Sequence, residues 1–252
     1  FNRKDEIGEL AHSLDEMTKD LWRRMDSIES FAADVSHELK NPLTSLKSAI
    51  ETISKLKDPS KQTRLMEVIL NDVERLDRLI TDISSASRLD AELSRDEIKK
   101  ININKLILGF INIRKETLKN VKFKLNLSEE VFINGNETRL VQVFDNLLAN
   151  AISFSPKNSS IVINTEINKE KILISIIDEG PGVSIGKTKT IFERFYSERP
   201  VKEEFGKHSG LGLSIVNQII TAHEGEIYCE NIIDKNQNIK GAKFIISFYI
   251  LR

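Results

Sequence analysis

Ser36-His37-Glu38-Leu39-Lys40-Asn41-Pro42 sits inside a long run of apolar residues at helical spacing, and the fold of the first part of the chain turns on it. The apolar seam reads Leu10, Leu14, Met17, Leu21, Met25, Ile28, Ala32 and Val35 on one side, then Leu39, Leu43, Leu46, Ile50 and Ile53 on the other. A helix turns about 100° per residue, so His37, two positions from both Val35 and Leu39, falls opposite the seam. Its imidazole is therefore presented to solvent beside a carboxylate, one turn before a proline expected to kink the helix. Such a group is a nucleophile in need of a donor. Taken alone, it is equally a solvated surface histidine.

Between Leu10 and Ile28 the seam alternates steps of four and three, except at Leu21, where two fours follow one another. That stutter unwinds a coiled coil locally, and the length without caps predicts a parallel coiled coil rather than a helix lying on a globular core. Lys57-Asp58-Pro59-Ser60 ends the first helix, and a second amphipathic run carries Leu65, Ile69, Leu76, Leu79, Ile80, Ile83, Ala86 and Leu89. Two long helices on a short loop predict an antiparallel hairpin. One hairpin cannot cover both stripes, so a homodimeric four-helix bundle is expected. Polar residues 90–96 read as a linker.

The chain has 252 residues, enough for two domains or one domain plus an elongated helical piece. Its 40% apolar and 30% charged content argues against disorder. A net charge of −1 gives no electrostatic case for nucleic acid or an anionic membrane. Cys229 stands alone, which excludes an intramolecular disulfide or a multi-cysteine zinc site and favours a reducing compartment. No run approaches the roughly 18 apolar residues of a membrane span, and no signal peptide is visible. Phe1 already lies in a charged helical pattern, so a soluble fragment of a longer protein is expected.

After Ile101 the texture becomes mixed α and β. Strands are expected at 101–103, 121–127 and 131–133, the last ending at Gly135, and helices at 106–118 and 138–154. A hairpin is expected from strands 160–167 and 171–178, a helix at 211–223, and strands at 226–231 and 242–250. Residues 182–210 form a long segment with only a short helix near 188–194; loops of that length are lids or disordered.

Four groups in this part could carry chemistry. Asn146 and Asn150 share one helical face beside the buried Leu147 and Leu148, where amides can meet a metal or phosphate oxygens. Asp178-Glu179-Gly180-Pro181-Gly182 ends an apolar strand; its glycines admit a ligand closely and its carboxylate can accept from an exocyclic amine. Gly210-Leu211-Gly212 opens a helix, whose free N–H groups and dipole suit phosphate. Ile191-Phe192-Glu193-Arg194-Phe195-Tyr196 places aromatics in the expected lid. Each group has a plain structural explanation when read singly.

Their order resembles the nucleotide-binding fold shared by histidine kinases, type II topoisomerases, Hsp90 chaperones and MutL repair proteins. Of these, only histidine kinases carry a His-Glu-x-x-Asn-Pro helix upstream. The chain thus resembles a bacterial two-component sensor histidine kinase, with the H, N, G1, F and G2 boxes in family order. Residues 1–20 resemble the end of a HAMP signal-relay module through Asp5-Glu6-Ile7-Gly8-Glu9-Leu10. Phe31-Ala32-Ala33-Asp34-Val35-Ser36-His37 and Ser87-Arg88-Leu89-Asp90-Ala91-Glu92-Leu93 resemble the ChvG/ExoS-type kinases of alphaproteobacteria.

The resemblance implies a fold of α plus α/β class: a dimeric four-helix bundle followed by an α/β sandwich of the GHKL (Bergerat) type. It implies the HAMP end and signalling helix at 1–20, a dimerisation and histidine phosphotransfer hairpin at 21–95, and an ATP-binding catalytic domain at 96–252. His37 would accept the γ-phosphoryl group of ATP, and Glu38 would hold or take up the proton of the other ring nitrogen. Asn41 would orient a water for dephosphorylating the response regulator, the partner whose Asp receives the phosphoryl group. Asn146 would bind Mg²⁺ and Asn150 the phosphates, Asp178 the adenine amine, and Gly180 and Gly182 the backbone around the base. Gly210 and Gly212 would let the lid close, and Phe192, Phe195 and Tyr196 would hold it against the domain body or the stem. The nucleotide-contacting set extends to Ser153, Phe154, Val183, Ile191, Tyr196, Lys207, His208, Ser209, Leu211 and Leu213. The chain would be the cytoplasmic portion of an inner-membrane protein.

Ser153-Phe154 replaces the family's Lys-Tyr, removing a phosphate-contacting cation that Lys207 or His208 could replace. Ser197 replaces a common Arg, with Arg199 two positions on, and the last glycine box shrinks to Gly241-Ala242. Two other readings stay open: a dimeric scaffold with a degenerate ATP domain, and a GHKL-type ATPase that hydrolyses ATP independently of His37.

Overall fold

The computed structural model describes residues 5–56, 58–118, 121–196 and 209–251, the side chains of Arg24, Ser27 and Asp90 excepted. Lys57, Ser197, Arg199, Lys207 and His208, read above for the turn and the lid, lie outside the described residues. Contacts gather the chain into two compact units, Phe1–Ile80 and Thr81–Arg252.

In the first unit, helix α1 (Glu6–Ile53) starts on Asp5, whose carboxylate accepts from the Gly8 N–H at 3.2 Å. Glu6 and Glu9 complement the positive end of the helix dipole. The helix runs on through buried Pro42, whose ring nitrogen offers no N–H to the Glu38 carbonyl one turn back. Helix α2 (Pro59–Leu93) opens on proline, at the one place where a helix does not need that N–H. Asp58 caps it, accepting from the Ser60 hydroxyl at 2.9 Å and the Ser60 N–H at 3.0 Å. These bonds hold the Asp58 carboxyl below the ordinary carboxylate range. Ala49 and Leu79 are buried, but Leu10, Met17 and Ile28 of the seam are 62%, 65% and 67% exposed. The hairpin does not cover its own stripe.

The last turns of α2 belong to the second unit, where Ala86 and Leu89 are buried. Residues 90–96 are thus no free linker. The helix continues through Leu93, and Arg139 fixes Glu92 at 2.8 Å and Asp96 at 2.6 Å. Two of its acids, Glu92 and Asp96, are ion-paired.

Next come β1 (Lys99–Asn102), α3 (Ile103–Thr117), β2 (Lys122–Asn126), β3 (Phe132–Gly135), α4 (Glu137–Phe154), β4 (Ser160–Asn168) and β5 (Lys171–Ile177). A single 3-10 turn at Thr190–Phe192, α5 (Gly212–Ala222), β6 (Glu226–Ile233) and β7 (Ile239–Tyr249) complete the unit. Five strands form a sheet in the order β2-β4-β5-β7-β6, parallel between β2 and β4 and antiparallel elsewhere. Strands β1 and β3 pair apart from it, with Ile101 opposite Ile133. Alternation selects the buried face: Ile161 and Ile163, Ile172, Ile174 and Ile176, then Phe244, Ile246 and Phe248. That face shares one core with Leu140, Val143, Leu147 and Leu148 of α4 and with Ile215, Val216, Ile219 and Ile220 of α5.

The hairpin of β4 and β5 turns at Lys169, in the left-handed region at φ 56°. The short helix expected near 188–194 shrinks to one turn, because Glu193 is extended and Phe195 left-handed at φ 59°. Cys229 is a core residue whose thiol burial pushes up to about 12, so it is chemically quiet. No helix among the described residues is long and apolar enough to cross a membrane.

Candidate functional site: a nucleotide cradle and an exposed histidine

Asp178 closes strand β5 and is 4% exposed. Its Oδ1 accepts from the Gly180 N–H at 2.8 Å and from the Ala242 N–H at 3.1 Å, while its own N–H donates to the Ala242 carbonyl at 3.0 Å. Both donors converge on one oxygen, so among the described residues Oδ2 remains to accept a hydrogen bond from a ligand amine. Burial raises the carboxyl above its ordinary range, and the Ala242 and Gly180 amides partly offset that rise.

The glycines around Asp178 are required by contact. A Cβ on Gly180 would stand 2.9 Å from both Asp178 Oδ1 and the Phe154 carbonyl oxygen, so the last turn of α4 closes on this loop. Gly182 has φ 74°, and a Cβ there would lie 2.3 Å from Ile239. Val183 is then clamped by Asn231 of β6, which accepts from its N–H at 2.7 Å and donates to its carbonyl at 2.6 Å.

Asn146 and Asn150 are half-buried on α4, flanking the fully buried Leu147 and Leu148. The Asn146 amide oxygen would lie 3.3 Å from a Cβ on Gly212, the first residue of α5. Leu211 precedes that helix with no side-chain cap, and the start of α5, uncapped by its own side chains, lies beside Asn146. Gly210 has φ 74° and abuts the Phe195 backbone, where a Cβ would come within 2.9 Å. Ser209 Oγ accepts from the Leu211 N–H at 3.2 Å. Leu211 is buried and Leu213 half-buried in the core, as are Ile191 and Tyr196 respectively. Phe192 sits edge-on to Phe244 with ring centroids 6.4 Å apart. The aromatic box therefore packs on the body of its own domain.

The structure joins Asp178, Gly180 and Phe154 at one end of α4 and sets Gly182 beside Asn231, which also holds Val183. It places Gly212 beside Asn146, while Gly210 lies on Phe195 and Ser153 is half-buried. A carboxylate oxygen, an amide oxygen, close backbone and an uncapped helix start suit a purine nucleotide with its phosphates. Gly241 supports this loop as well, although its box reads as degenerate: a Cβ there would stand 2.0 Å from the Asp178 carbonyl oxygen. Asn231 had no signal in the sequence, since a single Asn on a strand has no local pattern.

In the first unit, His37 and Asn41 are exposed one turn apart on α1. Glu38 is half-buried toward α2, with Oε2 3.3 Å from Arg75 Nη2.

Two family models match the chain. Residues 27–92 match the His Kinase A (phospho-acceptor) domain, and residues 135–250 match the histidine kinase-, DNA gyrase B- and HSP90-like ATPase. The sensor protein ChvG of Agrobacterium fabrum is 45% identical over 255 residues, covering 97% of this chain and 43% of that protein. The sensor histidine kinase WalK of Bacillus subtilis is 30% identical over 217 residues, covering 83% of this chain and 35% of its own length. The chain thus spans less than half the length of these relatives. The crystal structure of histidine kinase ThkA in complex with response regulator protein TrrA superposes with a TM-score of 0.69 at 26% identity, covering 98% of this chain and 68% of that one. With a phosphoacceptor helix and a nucleotide cradle matched in order on one polypeptide, the chain belongs to the sensor histidine kinases.

Proposed function

We propose that this chain is the catalytic core of a kinase that uses Mg²⁺ and ATP to phosphorylate its own His37 and passes the phosphoryl group to an Asp of a response regulator. The observation that carries this reading is the open Oδ2 of Asp178, set among close-packed glycines, on the same polypeptide as an exposed His37 beside a carboxylate.

Asp178 would take the adenine amine, Gly180 and Gly182 would let the base lie against backbone, and Asn150 and the start of α5 would take phosphate oxygens. Asn146 offers an amide oxygen, the ligand type Mg²⁺ prefers, and the ion would bridge it to the phosphates. ATP supplies the phosphoryl group. Neutral His37 would attack in line, with Glu38 at the other ring nitrogen, a role typically worth about 10²–10⁴-fold in rate. Asn41 would serve the reverse reaction by orienting a water toward the phosphorylated regulator. Positioning and electrostatics would supply most of the acceleration.

The exposed seam of α1 supports a homodimer, since a second copy would cover Leu10, Met17 and Ile28. The cytoplasmic face of a bacterial inner membrane is where such a chain would meet ATP and its regulator.

Incubation with labelled ATP and Mg²⁺ tests the proposal. Acid-labile label that disappears in His37→Ala is expected. Absence of label sinks the kinase reading in favour of a scaffold, and steady ATP hydrolysis unaffected by His37→Ala sinks it in favour of a simple ATPase.

A further inference from the structure

Consecutive residues on a helix diverge by about 100°, so an imidazole and the carboxylate next to it do not face each other unaided. In α1 His37 is exposed, while the Glu38 side chain, 26% exposed, is anchored on α2. There its Oε2 meets Nη2 of Arg75, itself 21% exposed, at 3.3 Å. Among the described residues Glu38 is the hydrogen-bond partner of this guanidinium, whose Nε is buried without one. The contact uses one carboxylate oxygen and leaves Oε1 for a second donor. A base that serves a nucleophile is commonly oriented by a third group, and arginine suits that task, being planar, permanently charged and without an acceptor.

Resting on the kinase reading, we propose that Arg75 is the positioning residue for Glu38 in phosphoryl transfer to His37. In that step one ring nitrogen of neutral His37 bonds to the γ-phosphorus. The bond from phosphorus to the bridging oxygen breaks, its electron pair leaving with ADP. The proton on the other ring nitrogen passes to Oε1 of Glu38. Arg75 holds Oε2 throughout, so the carboxylate cannot swing into solvent.

The test compares autophosphorylation by the whole chain and its Arg75→Gln, Arg75→Lys, Glu38→Gln and Glu38→Gln/Arg75→Gln variants, with kcat and KM for ATP determined separately. Arg75→Gln is expected to lower kcat about ten-fold with KM unchanged, and Arg75→Lys to recover part of the loss. Arg75→Gln is expected to add no loss in the Glu38→Gln background, since the group being oriented is already gone. A merely structural arginine would instead give additive losses, or a loss that follows unfolding in a parallel circular-dichroism melt. Either result overturns the proposal, as does undiminished label in Arg75→Gln. No label in the unaltered chain sinks the kinase reading and this role with it, and so is distinct from a failure of Arg75 alone.

Discussion

Gly241 and Asp178 are locked backbone to backbone: a Cβ on Gly241 would stand 2.0 Å from the Asp178 carbonyl oxygen. The next residue, Ala242, gives its N–H to the Asp178 carboxylate at 3.1 Å and takes the Asp178 N–H at 3.0 Å. Strand β7 thus aims the side chain that ends β5. Gly241→Ala must push the two strand ends apart, because neither contact atom can rotate away. Such overpacking costs about 1–3 kcal/mol. Denaturant unfolding should show that loss, and equilibrium dialysis with ATP should show affinity reduced at least about ten-fold by the displaced Asp178.

Asp178 separates stability from function. Its carboxyl is raised by burial, so the bound proton favours the folded chain. That contribution is fully present below the ordinary carboxylate value of 3.8 and is lost as pH rises through the higher folded value. Above that folded value the chain carries a buried charge that folding alone would not select. Asp178→Asn keeps an acceptor for Gly180 and Ala242 and removes that charge. Its melting temperature at pH 7 should be no lower than that of the unaltered chain, while ATP binding measured by calorimetry should be lost.

Legibility from sequence followed range. Period-two runs such as Ile172, Ile174 and Ile176, and the stripe Leu140, Val143, Leu147 and Leu148, announce their elements because burial acts on each strand or helix separately. Asn146, Asp178, Gly180, Gly182 and Gly212 were readable as separate groups, and their family order suggested that they converge. What supports them was not readable. Asn231 clamps Val183 from another strand, Arg75 meets Glu38 through the rotational register of two helices, and Gly241 matters because of where β5 ends. Each depends on a contact distant in sequence, and no local pattern encodes it. Residues 90–96 misled for the same reason, because Glu92 and Asp96 answer to Arg139.

Arg139 occupies the first turn of α4, where a cation opposes the helix dipole. It is tolerated because its side chain, 15% exposed, pairs with Asp96 at 2.6 Å and Glu92 at 2.8 Å, and these bonds raise its own pKa. The arginine thereby ties the end of α2 to the helix that bears Asn146 and Asn150. Arg139→Gln leaves Asp96 half-buried and unpaired, a loss of about 1–3 kcal/mol in urea unfolding. Asp96→Asn should cost less on top of Arg139→Gln than it costs alone, and additive losses would show that the pair is not coupled.

The exposed seam of α1 bears on the oligomeric state. Ile28 is 67% exposed and Met25 52% exposed, on the stripe that continues toward His37. If a second copy covers them, Ile28→Glu places two like charges against each other in an apolar interface. Solvent-facing Glu29→Lys, one residue on, supplies the control for charge alone. Sedimentation velocity should then show Ile28→Glu dissociating at concentrations about a hundred-fold above those that dissociate the unaltered chain, with Glu29→Lys unchanged. Helix content should fall in step with dissociation, since a long solvent-exposed apolar helix has little stability of its own. A monomeric unaltered chain, or an Ile28→Glu chain that stays dimeric, would remove the seam as the dimer interface.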